Sequence, residues 1–523
     1  MAIEETKAAT RSTRRNMLWS SLAYLAGPAA QLLAAPYLIR HLGSEVYGIL
    51  LLVNSVIQVS GLSSFGLGDA TVKYVAEYAA QKRRQDLVAL LQTTLLLYIF
   101  LGGLTVVGLN LLAPLLAERL FKVSPEFEHA AVLGLRIGSV SLLLSLVYSV
   151  GQSLCRGLRR HDVESSTAAF GSLVAPLCSC WLVSRGQGLV TVISVTCVIM
   201  FLNNVVLAWR CSRLVGTAAW LLPKFQWDNV RRLASYGFFG WIQMLEFALV
   251  NQGDRLVISA VLGPAAVTPY FLCAQLTQMA SGIVSQAFSY LFPMATQLIV
   301  EKRDTDLKRL FLTGMQSTSI ASLSVAALMF TYGQTILFVW VGNSLGNYDR
   351  NLILVMASST ALMGTTIVPF YVLNGAGYVR LNALFIMMSG AAVFPTSLWL
   401  VHRLGLIGMA ISKMANIVPG LVARVIIGRI ILNDRRILIC IWHLVPTVGG
   451  LLVLWGVNLS WHVPEHVVGR PWAAMASVFG AIATTTMLTF LVYGPEIRRL
   501  NRGSAPAGAV LVPDVMAASK GRA

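Results

Sequence analysis

The sequence predicts an all-α polytopic membrane protein, with about 14 transmembrane helices arranged as two six-helix lobes plus two C-terminal helices. Hydrophobic residues make up 56% of the chain and charged residues only 12%, far from the balance of soluble domains. Long apolar segments follow one another, and each approaches the roughly 20 residues needed to span a hydrocarbon core. Because backbone groups in lipid must bond within their own segment, we expect these segments to be helices.

The apolar segments run almost without interruption from one end of the chain to the other. The first is too long for a signal-peptide core and has no small-residue cleavage site after it, so we expect it to be retained. The segments are Met17–Ile39, Tyr47–Leu67, Leu87–Leu115, Ala131–Cys155, Ser165–Val183, Leu189–Trp209, Leu233–Val250, Val267–Val300, Leu310–Val341, Leu352–Leu373, Leu381–Val401, Leu406–Ile431, Ile437–Leu459 and Pro471–Val492.

The distribution of positive charge predicts the topology. Of the 40 Lys and Arg residues, 29 fall on one set of alternate loops and tails and eight on the other set. Positive loops stay in the cytoplasm, so both termini are expected there. The net charge of +18 is therefore mainly topological, with anionic lipid headgroups as a further partner, and we expect no nucleic-acid partner.

The chain contains a weak internal repeat. Trp181–Arg185 aligns with Trp399–Arg403, and a second, weaker match pairs Gly43 with Gly263. The first offset spans six helices, an even number, which predicts a parallel repeat with a substrate site between two lobes. We expect a cytoplasmic segment at 1–16, an N-lobe at 17–211, a cytoplasmic inter-lobe linker at 212–232, a C-lobe at 233–431, helices 13 and 14 at 437–493, and a disordered cytoplasmic tail at 494–523.

Several polar residues lie within the predicted helices, where they are costly and usually face an interior or a cavity. Lys413 and Arg424 are eleven residues apart in helix twelve, which returns them to nearly one face, with Asn416 and Gly420 on the same stripe. We interpret Arg136, Lys413, Arg424 and Asn416 as substrate-binding. The alternatives are a structural ion pair for Lys413, snorkelling of Arg424 to the interface, and packing of the stripe on a neighbouring helix.

The remaining charges have several interpretations. Glu246 lies deep in a helix and is a coupling-ion site or a counter-charge, and we give Asp254 the same two roles. Arg40 and Arg255 are expected at the outer rim, where exposed interface charges are common. The chain lacks a phosphate-binding Gly-x-x-x-x-Gly-Lys-Ser/Thr loop and a His-Glu-x-x-His metal motif, so we expect no catalysis, metal or cofactor, and an H⁺ or Na⁺ gradient as the energy source.

Four stretches of the chain are similar to a known family. Pro36–Gly48, Phe65–Asp69 and Tyr74–Glu77 resemble the opening signature of polysaccharide-export flippases, the Wzx-like members of the multidrug/oligosaccharidyl-lipid/polysaccharide superfamily. Asn251–Ser259, followed by Leu262 and Gly263, resembles the start of the second lobe of that family.

This resemblance implies translocation of an undecaprenyl-pyrophosphate-linked oligosaccharide across the bacterial inner membrane for exopolysaccharide, capsule or O-antigen biosynthesis. It also implies a cationic cavity and gradient-driven alternating access, and we expect a monomer that works with a polysaccharide polymerase and a chain-length regulator. The alternatives are a cation-coupled drug antiporter, a lipid II-type flippase, and a membrane scaffold of a cell-envelope assembly complex. An antiporter would prefer a negative cavity, and a scaffold has no use for charges within the membrane.

Overall fold

The structure is a computed structural model that describes residues 27, 29–342, 350–431, 444–460, 479–480, 482–484 and 486–491. These residues form helices and turns, with no strand among them. The helices are α1 (29–42), α2 (Ser44–Ser60), α3 (Leu67–Ala80), α4 (Arg84–Leu115), α5 (Pro125–Gly157), α6 (His161–Ser184), α7 (Leu189–Val215), α8 (Trp227–Asn251), α9 (Gly253–Leu262), α10 (Val267–Ala287), α11 (Leu291–Val300), α12 (Asp304–Val341), α13 (Arg350–Gly364), α14 (Ile367–Gly375), α15 (Val379–Ser412), α16 (Ile417–Ile426) and α17 (Val445–Ser460), with helical residues also at 479–480, 482–484 and 486–491.

Nine helical runs in the described residues are long and apolar enough to cross a membrane. They confirm the predicted all-α polytopic fold. Predicted helices eleven and twelve are joined in one run, Met387–Arg429, which Gly405 interrupts with a non-helical backbone at φ 59° and ψ −137°. The N-terminal segment 1–16, the tail 494–523 and parts of predicted helices one, thirteen and fourteen lie outside the described residues.

The α4 helix shows how the side chains are distributed in a membrane. Phe100, Leu104 and Leu111 are 66%, 64% and 76% exposed, and their spacing places them on one face of the helix. In contrast, Thr94 is fully buried, and its Oγ1 lies 3.2 Å from Oγ1 of Thr71 on α3. The outer face is therefore apolar and polar pairs lie inside, which suits a lipid environment.

The chain divides into two compact units. One comprises the described residues up to Gln278 with Tyr332–Ser359 and Ala383–Pro419, and the other comprises Met279–Thr331, Thr360–Asn382 and the described residues from Gly420 onward. The described part of the predicted N-lobe lies wholly in the first unit, whereas the predicted C-lobe is divided between the two. The boundaries of the lobes stay a prediction.

The start of α5 and the end of α7 follow from local sequence. Pro125 occupies the first turn of α5, where its missing N–H costs no helical hydrogen bond. The acidic residues Glu126 and Glu128 in the same turn favour the positive end of the helix dipole. The α7 helix stops at Gly216, whose φ of 73° is the left-handed conformation that glycine adopts readily.

Two glycines make matching turns between consecutive helices of the first unit. Gly43, before α2, has φ 84° and ψ 162°, and Gly263, after α9, has φ 87° and ψ 169°. Other residues rarely adopt this conformation. These are the glycines of the weaker sequence match, so the repeat, which stays a prediction, has a local backbone counterpart.

A third glycine lets α2 approach its neighbour closely. A Cβ atom added at Gly48 would lie 2.2 Å from the carbonyl oxygen of Pro264, far below a van der Waals distance. The contact is reinforced by Thr268, whose hydroxyl donates to the carbonyl of Ser44 at 2.6 Å. Close packing here fixes α2, and with it the polar residues that α2 carries further along.

Candidate functional site

A cavity of about 360 Å³ lies within the first unit, among residues of α1, α2, α5, α6, α7, α9 and α10. Its volume falls in the range of about 300–1,000 Å³ that is typical of small-molecule sites. The described lining contains one guanidinium and no carboxylate. Its polar residues are Gln31, Tyr47, Asn54, Gln58, Ser141, Ser172, Ser179, Thr196, Arg255 and Gln275.

Helical spacing brings these polar groups to the cavity. Asn54 and Gln58 of α2 both line it, and a separation of four residues puts them on one face of the helix. Ser172 and Ser179 of α6 also line it and are two turns apart. The cavity thus combines hydrogen-bonding groups with apolar wall residues such as Ile193, and such groups suit a ligand rich in oxygen atoms.

Arg255 is the cation of the cavity lining. It lies in the first turn of α9, and its guanidinium carbon is 4.5 Å from the centre of the Phe271 ring. This cation–π contact holds the planar group in place. One of its nitrogens, Nη1, lies 3.5 Å from the hydroxyl oxygen of Ser55, so both neighbours orient the guanidinium.

A short chain of hydrogen bonds continues from Ser55 back to the cavity. The hydroxyl of Ser55 shares its proton between the carbonyl oxygen of Leu51 at 2.8 Å and Oε1 of Gln252 at 3.1 Å. Nε2 of Gln252 donates to Oε1 of Gln58 at 2.9 Å. Because Gln58 accepts through its oxygen, its amide NH₂ remains available to a ligand. Arg255 and Gln58 therefore both offer hydrogen-bond donors to the cavity, as a site for an anion requires.

Asp254, the residue before Arg255, is held in a buried ion pair. Its Oδ2 accepts hydrogen bonds from Lys413 Nζ at 2.8 Å and from the Tyr270 hydroxyl at 2.9 Å. Its Oδ1 accepts the backbone N–H of Arg255 at 2.8 Å. The side chains of Lys413 and Asp254 are 16% and 5% exposed. The structure thus pairs Lys413 with Asp254, and the roles of the two residues in binding or coupling stay predictions.

Arg424 occupies a different environment, in the second unit. It is 1% exposed, and its Nη2 donates to the carbonyl oxygen of Thr365 at 2.7 Å. Its guanidinium is therefore buried in protein rather than extended to the membrane interface. The stripe predicted on helix twelve is also interrupted, because residues Lys413–Asn416 form a 3₁₀ turn between α15 and α16.

The other predicted site residues are dispersed. Asn416 is buried and accepts a hydrogen bond from Ser389. Arg136 is exposed on α5 and Arg40 near the end of α1, and neither lines the cavity. The side chain of Glu246 lies outside the described residues. None of the four residues predicted to bind substrate lines this cavity, and their role in binding stays a prediction.

The sequence interpretation placed Arg255 at the outer rim, and this position stays a prediction; the structure adds that Arg255 lines the cavity. The predicted apolar segment ends at Val250, and no separate short helix is predicted for the residues that follow. In the structure, α8 ends at Asn251, and after Gln252 a separate helix, α9, begins at Gly253. The sequence feature that marks this interruption is the polar run Asn251-Gln-Gly-Asp-Arg255 between two apolar segments. Within that run, the buried Asp254 accepts the backbone N–H of Arg255.

Solved structures share this fold over most of the chain. An inward-facing multidrug resistance transporter of the MATE family, MOP superfamily, is 14% identical and superposes with a TM-score of 0.65, covering 80% of this chain and 98% of that one. The lipid II flippase MurJ in an inward closed conformation is 11% identical, with a TM-score of 0.68 and coverage of 92% and 100%. A MOP superfamily transporter from Pyrococcus furiosus, with a binding pocket of reverse polarity, is 13% identical, with a TM-score of 0.55 and coverage of 81% and 95%.

These similarities define the fold class: a multi-pass, all-α membrane protein whose fold is similar to that of these solved transporters and of MurJ. No curated protein matches the sequence. Residues 13–299, more than half of the chain, match the family described as polysaccharide biosynthesis protein. The chain belongs to this family, which confirms the family resemblance seen in the sequence.

Proposed function

We propose that this protein is a flippase that moves an undecaprenyl-pyrophosphate-linked oligosaccharide across the bacterial inner membrane by alternating access. The observation that carries the proposal is the cavity around Arg255, whose described lining has one cation, several amides and no carboxylate. Membership of a polysaccharide biosynthesis family supports a glycan-containing substrate, and the similarity of the fold to solved transporters supports a transport function.

The cavity chemistry suits a pyrophosphate attached to a sugar. A guanidinium presents parallel N–H donors that match two phosphate oxygens, and such charge-assisted bonds are stronger than neutral ones. In this assignment Arg255 and the amide of Gln58 contact the phosphates. The hydroxyls of Ser141 and Ser179 and the amide of Gln275, which also line the cavity, hydrogen-bond the sugar.

The same observations weigh the alternatives. A drug antiporter that takes cations needs a negative group in its cavity, and the nearby carboxylate, Asp254, is already neutralised by Lys413. A lipid II-type flippase shares the pyrophosphate chemistry, so only the glycan separates it from the proposal. A scaffold would leave the desolvation of Arg255 without a purpose.

The test is replacement of Arg255 in cells that depend on the protein for surface glycan. In Arg255→Ala, export should fall about tenfold or more, since a hydrogen bond to a charged group contributes about 1.5–3 kcal/mol. The lipid-linked oligosaccharide should accumulate on the cytoplasmic side while protein abundance stays near normal. Arg255→Lys should retain part of the export, because charge persists without the planar fork.

Arg185 provides the matched control. It lies at the C-terminal end of α6, exposed and stacked on Trp181 at 5.4 Å, outside the cavity. Arg185→Ala removes the same charge from the same unit and should leave export unchanged. Export by Arg255→Ala at the level of this control would remove the cavity mechanism, and accumulation of lipid II instead of another glycan lipid would favour the lipid II-type flippase.

A further inference from the structure

The segment that leads from α7 into the first residue of α8, residues 217–227, is fixed to the helices beside it. We call this segment the linker ledge. Its Trp220 is 3% exposed, and the indole N–H donates to the hydroxyl of Ser212 on α7 at 3.1 Å. Gln92 of α4 donates from Nε2 to the carbonyl oxygen of Ala219 at 2.8 Å. The linker ledge is therefore held in a defined orientation against two helices.

This fixed segment turns large apolar side chains outward. Leu222, Phe225 and Trp227 are 67%, 57% and 67% exposed. The rings of Phe225 and Trp227 are neighbours, with centroids 6.1 Å apart, so they form one patch. A patch of this kind marks an interaction surface, and aromatic rings of this type concentrate at the boundary between lipid and water.

Positively charged residues flank the patch along the sequence. Lys224 lies on the linker ledge between Leu222 and Phe225 and is exposed, as is Arg231 in the first turns of α8. At the end of α7, the exposed Arg213 stacks on Trp209 with its guanidinium carbon 3.8 Å from the ring centre. From residue 210 to residue 232 the sequence has five cationic residues and one acidic residue, Asp228.

We propose that the linker ledge docks in the headgroup layer of the membrane, with anionic phospholipid as its partner. Leu222, Phe225 and Trp227 enter the interface, and Lys224, Arg213 and Arg231 contact lipid phosphates. The combination of exposed aromatics with clustered cations matches an anionic membrane surface. A segment that the sequence assigns to a cytoplasmic linker is thus a fixed membrane contact, and this inference does not depend on the transported substrate.

The first test is photocrosslinking of the full-length protein in nanodiscs of phosphatidylcholine and phosphatidylglycerol. In Phe225→p-benzoylphenylalanine, irradiation should give phospholipid adducts detected by mass spectrometry. The control is Gln81→p-benzoylphenylalanine, in the exposed turn between α3 and α4, where the neighbours are polar. Adducts should be several-fold more abundant at position 225. Equal yields at the two positions would overturn the proposal, as would a crosslink from position 225 to another protein in native membranes.

The second test addresses the charges by hydrogen–deuterium exchange of residues 217–227. Exchange should be slower in nanodiscs containing phosphatidylglycerol than in phosphatidylcholine alone, and the difference should shrink at high salt. The double variant Lys224→Gln, Arg231→Gln should lose the dependence on phosphatidylglycerol and keep the lipid crosslink at position 225. Exchange that is the same in both lipids for the unaltered protein would overturn the assignment of anionic headgroups.

Discussion

The cavity around Arg255 in the first unit and the helix packing around Arg424 in the second unit use the same side chain in opposite ways. Arg255 lines an open cavity beside amide groups, whereas Arg424 is 1% exposed and bonded to the carbonyl oxygen of Thr365. Both lie in apolar helices. A charge in such a helix therefore indicates a ligand site only where packing leaves its polar end accessible, and otherwise it stabilises the helix contacts.

Lys413 belongs with Arg424 in this comparison, and it gives the largest expected effect. Lys413→Ala leaves Asp254 buried without its counter-charge, which should cost about 3–5 kcal/mol of unfolding free energy. We expect a large fall in the amount of folded protein, measured by fluorescence-detected size-exclusion chromatography of detergent extracts. If Lys413→Ala folded normally but failed to export, Lys413 would have a functional role like that proposed for Arg255 rather than a structural one.

A matched double variant tests whether the loss of folded protein comes from the unpaired charge of Asp254 or from the loss of the Lys413 side chain itself. Lys413→Met together with Asp254→Asn removes both charges, and the amide oxygen that replaces the carboxylate can still accept the hydrogen bond from the Tyr270 hydroxyl. Replacing a buried ion pair with neutral groups is often tolerated, so folded protein should return. Failure of this variant to recover, with each single variant folded, would contradict the structural-pair assignment.

Arg424 should give the next largest effect. Arg424→Ala removes a large buried side chain and leaves the Thr365 carbonyl without this donor, which should cost roughly 2 kcal/mol or more. The midpoint temperature of the purified protein should fall, and export should fall only in proportion to the protein that remains folded. An Arg424→Ala protein of unaltered stability that fails to export would break the comparison between the two arginines.

In contrast to Arg424, replacement of Arg255 should change the stability of the protein little and its binding of anions strongly. Arg255→Gln loses mainly the contact with Phe271, so stability should change by less than about 1 kcal/mol. Millimolar inorganic pyrophosphate should raise the midpoint temperature of the unaltered protein through preferential binding to the folded state, and this rise should be absent in Arg255→Gln. A pyrophosphate shift of the same size in both proteins would place the anion site elsewhere.

The smallest effect on stability and export is expected when a solvent-exposed arginine is replaced. Arg303, in the turn before α12, pairs with Glu301 at 3.2 Å and with Asp306 at 2.8 Å, and all three side chains are substantially exposed. Hydrogen bonds from Gln297 and Arg303 lower the pKa of Glu301, yet solvent screens such surface pairs. Arg303→Gln should leave the midpoint temperature and export unchanged, and a clear loss of either would show that this turn has a further role.

The sequence predicted much of the fold because the membrane imposes simple rules. Apolar length predicted the helices, and the interval between predicted helices eleven and twelve contains the break at Gly405. Residues such as Lys413 and Arg424 could be recognised as interior because a charge within an apolar helix avoids lipid. Their partners could not be recognised, since Asp254 is 159 residues from Lys413 along the chain.

By itself, the sequence determined the all-α membrane fold, the polysaccharide family and the presence of a few costly charges inside it. These properties depend on local composition and on the need of each helix to satisfy its own backbone in lipid. Only the tertiary structure decided which charge is available to a ligand. Arg255, in the first turn of the new helix α9, lines the cavity, whereas long-range contacts bury the polar ends of Lys413 and Arg424. The physical reason is that the exposure of a side chain depends on which helices pack around it rather than on the helix that carries it.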